Sequence, residues 1–138
     1  MELKARSILV EGSRSVIDNG RGHSIVTDLP PKMGGNDTGP TALELVVMGL
    51  AGCITTIFSI VAKKTKLEYS YAEVYVEAEK PDDAPTLTQA RMKVKVGTNA
   101  SRKDVEKTLR LTLQNCPVGI LLEKAGVRIE VELVEPKD

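Results

Sequence analysis

Three soft side chains carry whatever chemistry the chain can do: Cys53, Cys116 and the single histidine, His23. They are too few for a four-ligand structural zinc site without carboxylates. No CxxC, HExxH or CxxCH is present, so the expectation is no metal and no cofactor. What remains is thiol chemistry, in which a thiolate attacks an electrophile or two thiols join as a disulfide. Cys116 directly precedes Pro117, and proline favours the first position of a helix. The spacing therefore puts Cys116 at a helix N-cap, where free N–H groups and the dipole favour a thiolate. Cys53 lies inside an apolar run and has no local donor. A free cysteine is also among the most buried residue types, so both thiols can equally be read as packing residues.

Among the charged residues, Glu44 stands just before that apolar run. It reads either as a carboxylate stabilising a helix start or as a partner that orients an arginine. Arg14 and Arg21 flank the Asn19-Gly20 turn and are the candidate cations, although most such arginines are solvated. Nine residues separate Glu44 from Cys53, half a revolution of a straight helix. A shared site therefore needs a bend, or Glu44 of one subunit facing Cys53 of another. Gly34, Gly35 and Gly39 approach a phosphate-binding loop but lack its Lys-Ser/Thr, and no serine sits in GxSxG.

The positioning elements follow from periodicity. Glu2–Val10, the Asp18-Asn19-Gly20 turn and His23–Leu29 read as a β meander. Residues 30 to 40 form a loop rich in glycine and proline. Leu45 to Ala62 is eighteen residues without a charge, opened by Thr41 and Glu44 as a capping box and closed by Lys63 and Lys64. A helix apolar nearly all round must be buried on most faces. It is also near the lower length limit for a membrane span. Its Gly, Thr and Ser residues and its strand-rich flanks favour a soluble core helix covered by a partner subunit. Leu67–Glu79 and Thr86–Val96 alternate as a hairpin with one wet face. Ser101 caps a helix to Leu113, Val118–Lys124 is a second helix ended by Gly126, and Val127–Val134 is the last strand.

The 138 residues make one domain, 1–138. Nineteen Lys+Arg balance nineteen Asp+Glu, which argues against a nucleic-acid or anionic-membrane binder. With no Trp, one Phe and three Tyr, stacking platforms for single strands are missing. The charged N-terminus lacks the pattern of a secretory signal, so the expectation is a cytoplasmic protein with free thiols.

The run Gly39-Pro40-Thr41-Ala42-Leu43-Glu44-Leu45-Val46-Val47-Met48-Gly49-Leu50-Ala51-Gly52-Cys53 resembles the G-P-[ST]-P-x-E-L-L-L-x-A-L-x-x-C signature of the OsmC/Ohr family, the osmotically inducible and organic hydroperoxide resistance proteins. Asn115-Cys116-Pro117-Val118 resembles that family's second cysteine motif, C-P-[VY]-S, and Pro31-Lys32-Met33-Gly34-Gly35 its loop before the helix. Ala42 and Gly119 stand where the family has Pro and Ser, which points to its OsmC-like branch. The resemblance implies an α+β OsmC-like fold, with antiparallel sheets around a long central buried helix, in an intertwined homodimer. It implies a thiol-dependent peroxidase reducing organic hydroperoxides in oxidative stress defence. Cys53 is then peroxidatic and Cys116 resolving. Glu44 and an arginine of the N-terminal hairpin complete the site, Arg14 being the nearest match and Arg21 the alternative. The implied partners are a small hydroperoxide and a dithiol reductant such as lipoyl groups, with no nucleic acid and no membrane. A non-enzymatic dimeric stress or small-molecule-binding protein with structural thiols is the competing expectation.

Overall fold

The computed structural model describes residues Met1–Glu135. Its element order is β1 (Arg6–Glu11), β2 (Arg14–Asp18), β3 (Ser24–Thr27), a 3₁₀ turn (Pro31–Met33), α1 (Ala42–Thr65), β4 (Tyr71–Glu79), β5 (Gln89–Gly97), α2 (Arg102–Gln114), α3 (Pro117–Lys124) and β6 (Arg128–Leu133). This is the order that periodicity predicts, with strand starts moved inward by up to four residues. The described residues form two compact units, Met1–Val46 and Val47 onward, and α1 runs through the division.

In the first unit β1, β2 and β3 form an antiparallel meander. Gly12 at φ 54° and Gly20 at φ 77° supply the left-handed turn conformations that side chains resist. The loop after β3 folds back on its own start. Asp37 N–H donates to the Leu29 carbonyl and Asp28 N–H to the Pro40 carbonyl, at 3.0 and 3.1 Å. Two glycines allow this closure. A Cβ on Gly39 would stand 2.2 Å from the Val26 carbonyl oxygen, and one on Gly35 2.0 Å from that of Leu29. The predicted capping box is present. Glu44 N–H donates to Thr41 Oγ1, and Thr41 N–H to Glu44 Oε1, both at 3.0 Å.

The second unit carries the main core. β4 pairs antiparallel with β5, and β6 pairs parallel with β5. The sheets are thus not antiparallel throughout. A crossover through α2 and α3 separates β5 from β6, and such a connection returns the chain in the same direction. Alternation within one strand cannot reveal that. One face of β5 (Ala90, Met92, Val94, Val96) packs beneath α1, α2 and α3. Two clusters result, one around Leu50, Ile54 and Cys116, the other around Phe58, Ala62, Val105 and Leu109.

α1 is buried along one stripe, Leu50, Ile54, Phe58, Val61 and Ala62, at helical spacing. By length and composition it could cross a bilayer, with a mean hydropathy of 2.3 over its most apolar window, and 28% of that window is buried in the chain. The nearly all-round burial predicted for it is therefore not reached within one chain. Val46, Met48 and Ile60 remain 41 to 52% exposed. A helix offers only one stripe to the single sheet beneath it.

Candidate active site

The second unit brings the two cysteines together. Cys116 Sγ lies 3.0 Å from Cys53 Sγ, across 63 residues of sequence. Both are free thiols. Cys53 stands in the fourth turn of α1, on the side that packs against the first cluster. Cys116 is the N-cap of α3, with Pro117 at the first helical position, as the sequence predicts. Gly119 N–H donates to Cys116 Sγ at 3.3 Å. A Cβ on Gly119 would meet Cys116 Sγ at 3.5 Å and Leu50 Cδ1 at 3.8 Å, ordinary contact distances. The Cβ of the family's serine would thus fit there.

The two thiols differ in environment. Cys116 is 0% exposed, whereas Cys53 is half-buried. Burial among Leu50, Ile54, Leu87 and Met92 pushes the Cys116 thiol up to about 11, helped by its hydrogen bond to Cys53. The Gly119 and Val118 N–H groups act against this but do not outweigh it. The expectation that helix capping favours a thiolate at Cys116 is therefore overturned. An N-cap favours the anion only where water or charge also reaches it, and here the apolar walls win. Cys116 stays protonated and donates its S–H to Cys53. Around Cys53, Leu50 and Ile54 belong to the same cluster, while Met48 is 52% exposed. A polar hollow of about 990 Å³, lined by Lys66, Tyr69, Asn99 and Lys107 among others, includes neither cysteine.

Glu44 and Arg14 lie in the first unit. Glu44 is exposed at the start of α1 with one oxygen engaged in the capping box. α1 is helical without interruption from Glu44 to Cys53, so the count of half a revolution holds. Arg14 opens β2 with its side chain 29% exposed and a 3.8 Å ion pair to Glu11. Its Nε is buried without a hydrogen-bond partner among the described residues. Arg21 is exposed in the turn, where its N–H donates to Asn19 Oδ1. His23 is exposed too, 3.0 Å from the Asn19 amide.

One residue escaped the sequence reading. Asp28, 3% exposed, accepts five hydrogen bonds. Its Oδ1 takes Ser13 Oγ at 2.9 Å and Leu29 N–H at 2.8 Å. Its Oδ2 takes Asn36 N–H at 3.3 Å, Thr38 N–H at 3.1 Å and Thr38 Oγ1 at 2.6 Å. These donors, the Thr38 hydroxyl first, hold the carboxyl well below the usual carboxylate range. The glycine-rich loop that resembled a phosphate cradle thus encloses an anion of its own chain.

Comparison with known proteins agrees with this fold. The family described as OsmC-like protein matches residues 34–132. Protein YhfA of Escherichia coli (strain K12) is 28% identical over 128 residues, covering 89% of this chain and 91% of its own. The crystal structure of an OsmC like protein from Mycoplasma pneumoniae superposes with a TM-score of 0.87 at 15% identity, over 99% of each chain. An organic hydroperoxide resistance protein OsmC from Legionella pneumophila, described as a predicted redox protein, gives 0.75 at 14% identity over 96% of each.

Proposed function

The chain belongs to the OsmC-like protein family, and from that premise we propose that it is a thiol-dependent peroxidase reducing organic hydroperoxides in oxidative stress defence. The observation that carries the reading is the approach of two sulfurs from distant elements to 3.0 Å inside an apolar cluster, only one of them within reach of solvent. The Cys53 thiolate attacks the hydroperoxide. The O–O bond breaks, the alkoxide leaves and takes a proton to become the alcohol, and Cys53 becomes a sulfenic acid. The Cys116 sulfur then bonds to Cys53 and water leaves, forming a disulfide. An external dithiol, such as a lipoyl group, is oxidised to its own disulfide and restores both thiols. The asymmetry of the two thiols supports this order of attack, since Cys116 is sealed and protonated until Cys53 has reacted.

Because α1 is unbent, Glu44 and the arginine it orients, Arg14, supply charge to the Cys53 of a second copy. A guanidinium oriented by a carboxylate favours a thiolate and steadies the departing alkoxide. The buried, unpartnered Nε supports Arg14 over the exposed Arg21. A second copy covers the exposed apolar residues of α1, making a homodimer that works in the cytoplasm, where dithiols keep the pair reduced.

Cumene hydroperoxide consumption with a dithiol reductant tests the reading. Cys53→Ser abolishes it, and one equivalent of hydroperoxide removes about two mass units per wild-type chain as the disulfide forms. Unchanged mass and no consumption favour the second reading, a dimeric binding protein with inert thiols, to which the full burial of Cys116 lends support.

A further inference from the structure

Asp28 lies between two segments that the site needs. Ser13, one of its donors, immediately precedes Arg14 in the β1–β2 turn. Thr38, which donates twice, stands just before Gly39, Pro40 and the Thr41–Glu44 capping box. The Asp28 backbone adds a third tie, its N–H donating to the Pro40 carbonyl. One residue therefore binds the stretch that carries Arg14 to the stretch that carries Glu44. The two glycines permit the closure, and a Cβ on Gly35 would also stand 2.8 Å from Asp28 Oδ1. A loop of eleven residues from Pro30 to Pro40 would otherwise sample many conformations. Nothing about Asp28 suggests proton transfer, because its carboxylate is fully engaged and stays ionised far below neutral pH.

We propose that Asp28 is a positioning residue, whose buried carboxylate fixes the backbones bearing Arg14 and Glu44 in the arrangement the thiol reaction requires. The proposal rests on the reading that Arg14 and Glu44 serve Cys53. It gives the glycine-rich loop a role distinct from ligand binding: its Asn36 and Thr38 N–H groups hold an internal anion. A backbone N–H meets each oxygen of the carboxylate, so an amide replaces it poorly. Whichever oxygen becomes NH2 in Asp28→Asn confronts at least one backbone N–H that cannot accept from it.

The test is a double-mutant cycle on the full chain. Single-turnover oxidation by cumene hydroperoxide is followed by intact mass, so that slow rates remain measurable, and thermal unfolding is recorded alongside. Asp28→Asn lowers the rate about thirtyfold and Ser13→Ala about threefold, within the range that misplacement of a site produces. In an Arg14→Gln background both effects shrink to less than about twofold, because a residue that acts through Arg14 has nothing left to position. A merely structural role gives the opposite result, the same fold-loss in either background, and that outcome overturns the proposal. If Asp28→Asn does not fold, Ser13→Ala and Thr38→Val, each removing one side-chain hydroxyl, carry the same cycle. If Arg14→Gln alone oxidises at the wild-type rate, the reading of Arg14 fails first and the proposal goes with it. If Arg14→Gln is slow while the Asp28, Ser13 and Thr38 variants all match wild type, only the proposal fails.

Discussion

The loop around Asp28 and the cluster around Cys116 each bury an ionisable group, at 3% and 0% exposure, and shift it in opposite senses. Five donors keep Asp28 charged. Apolar walls keep Cys116 neutral. Depth of burial does not decide which form is stable; the number of donors aimed at the group does. The two regions also hold themselves together differently. The first unit relies on directional bonds converging on one carboxylate and on glycines that let carbonyls come close. The second relies on side chains filling volume beneath one face of β5.

The contrast can be broken most forcefully from the apolar side. Leu50 is 1% exposed in the cluster that contains Cys116. Leu50→Ala should cost about 4 kcal/mol in urea unfolding, the transfer and cavity terms together. A cost below about 1 kcal/mol would mean that the cluster is not what supports the second unit. On the other side, adding one carbon should be nearly as harmful as removing three. Gly39→Ala sets a Cβ against the Val26 carbonyl and should cost about 3 kcal/mol. Gly119→Ala meets only ordinary contacts and should cost less than about 1 kcal/mol. Equal losses at the two glycines would erase the distinction. The smallest effect lies in alkaline titration. Folding raises the Cys116 thiol to about 11, so the unfolded chain releases that proton first. The associated stability is fully present below the unfolded thiol value of roughly 8.5 and is lost as pH rises through the folded one. Cys116→Ser should flatten the fall in melting temperature between these limits, and an unchanged slope would show that the thiol does not titrate as its walls require.

How legible this was differs between the two regions. The elements of both could be read from period and caps. Thr41 and Glu44 form the capping box that their spacing announces, and Ser101 caps α2 by accepting from Asp104 N–H. The meeting of Cys53 and Cys116 could not be derived from local chemistry, since it depends on how α1 and α3 pack, and only resemblance to a family pointed to it. The acidity of Cys116 was misjudged for the same reason: its cap is local and visible, whereas its walls come from α1 and β5. Asp28 was invisible because its donors come from fifteen residues before it to ten after it. The parallel pairing of β6 was hidden as well, because alternation marks a strand but not its neighbour.

The spacing of the thiol pair has a consequence for the oxidised chain. A bond between Cys53 and Cys116 closes a loop of 63 residues, and chain entropy assigns such a crosslink about 4 kcal/mol of stabilisation against unfolding. The spent form of the protein would then be its sturdier form, and whatever regenerates it must work against that added hold. Heat resistance would itself report the redox history of the molecule.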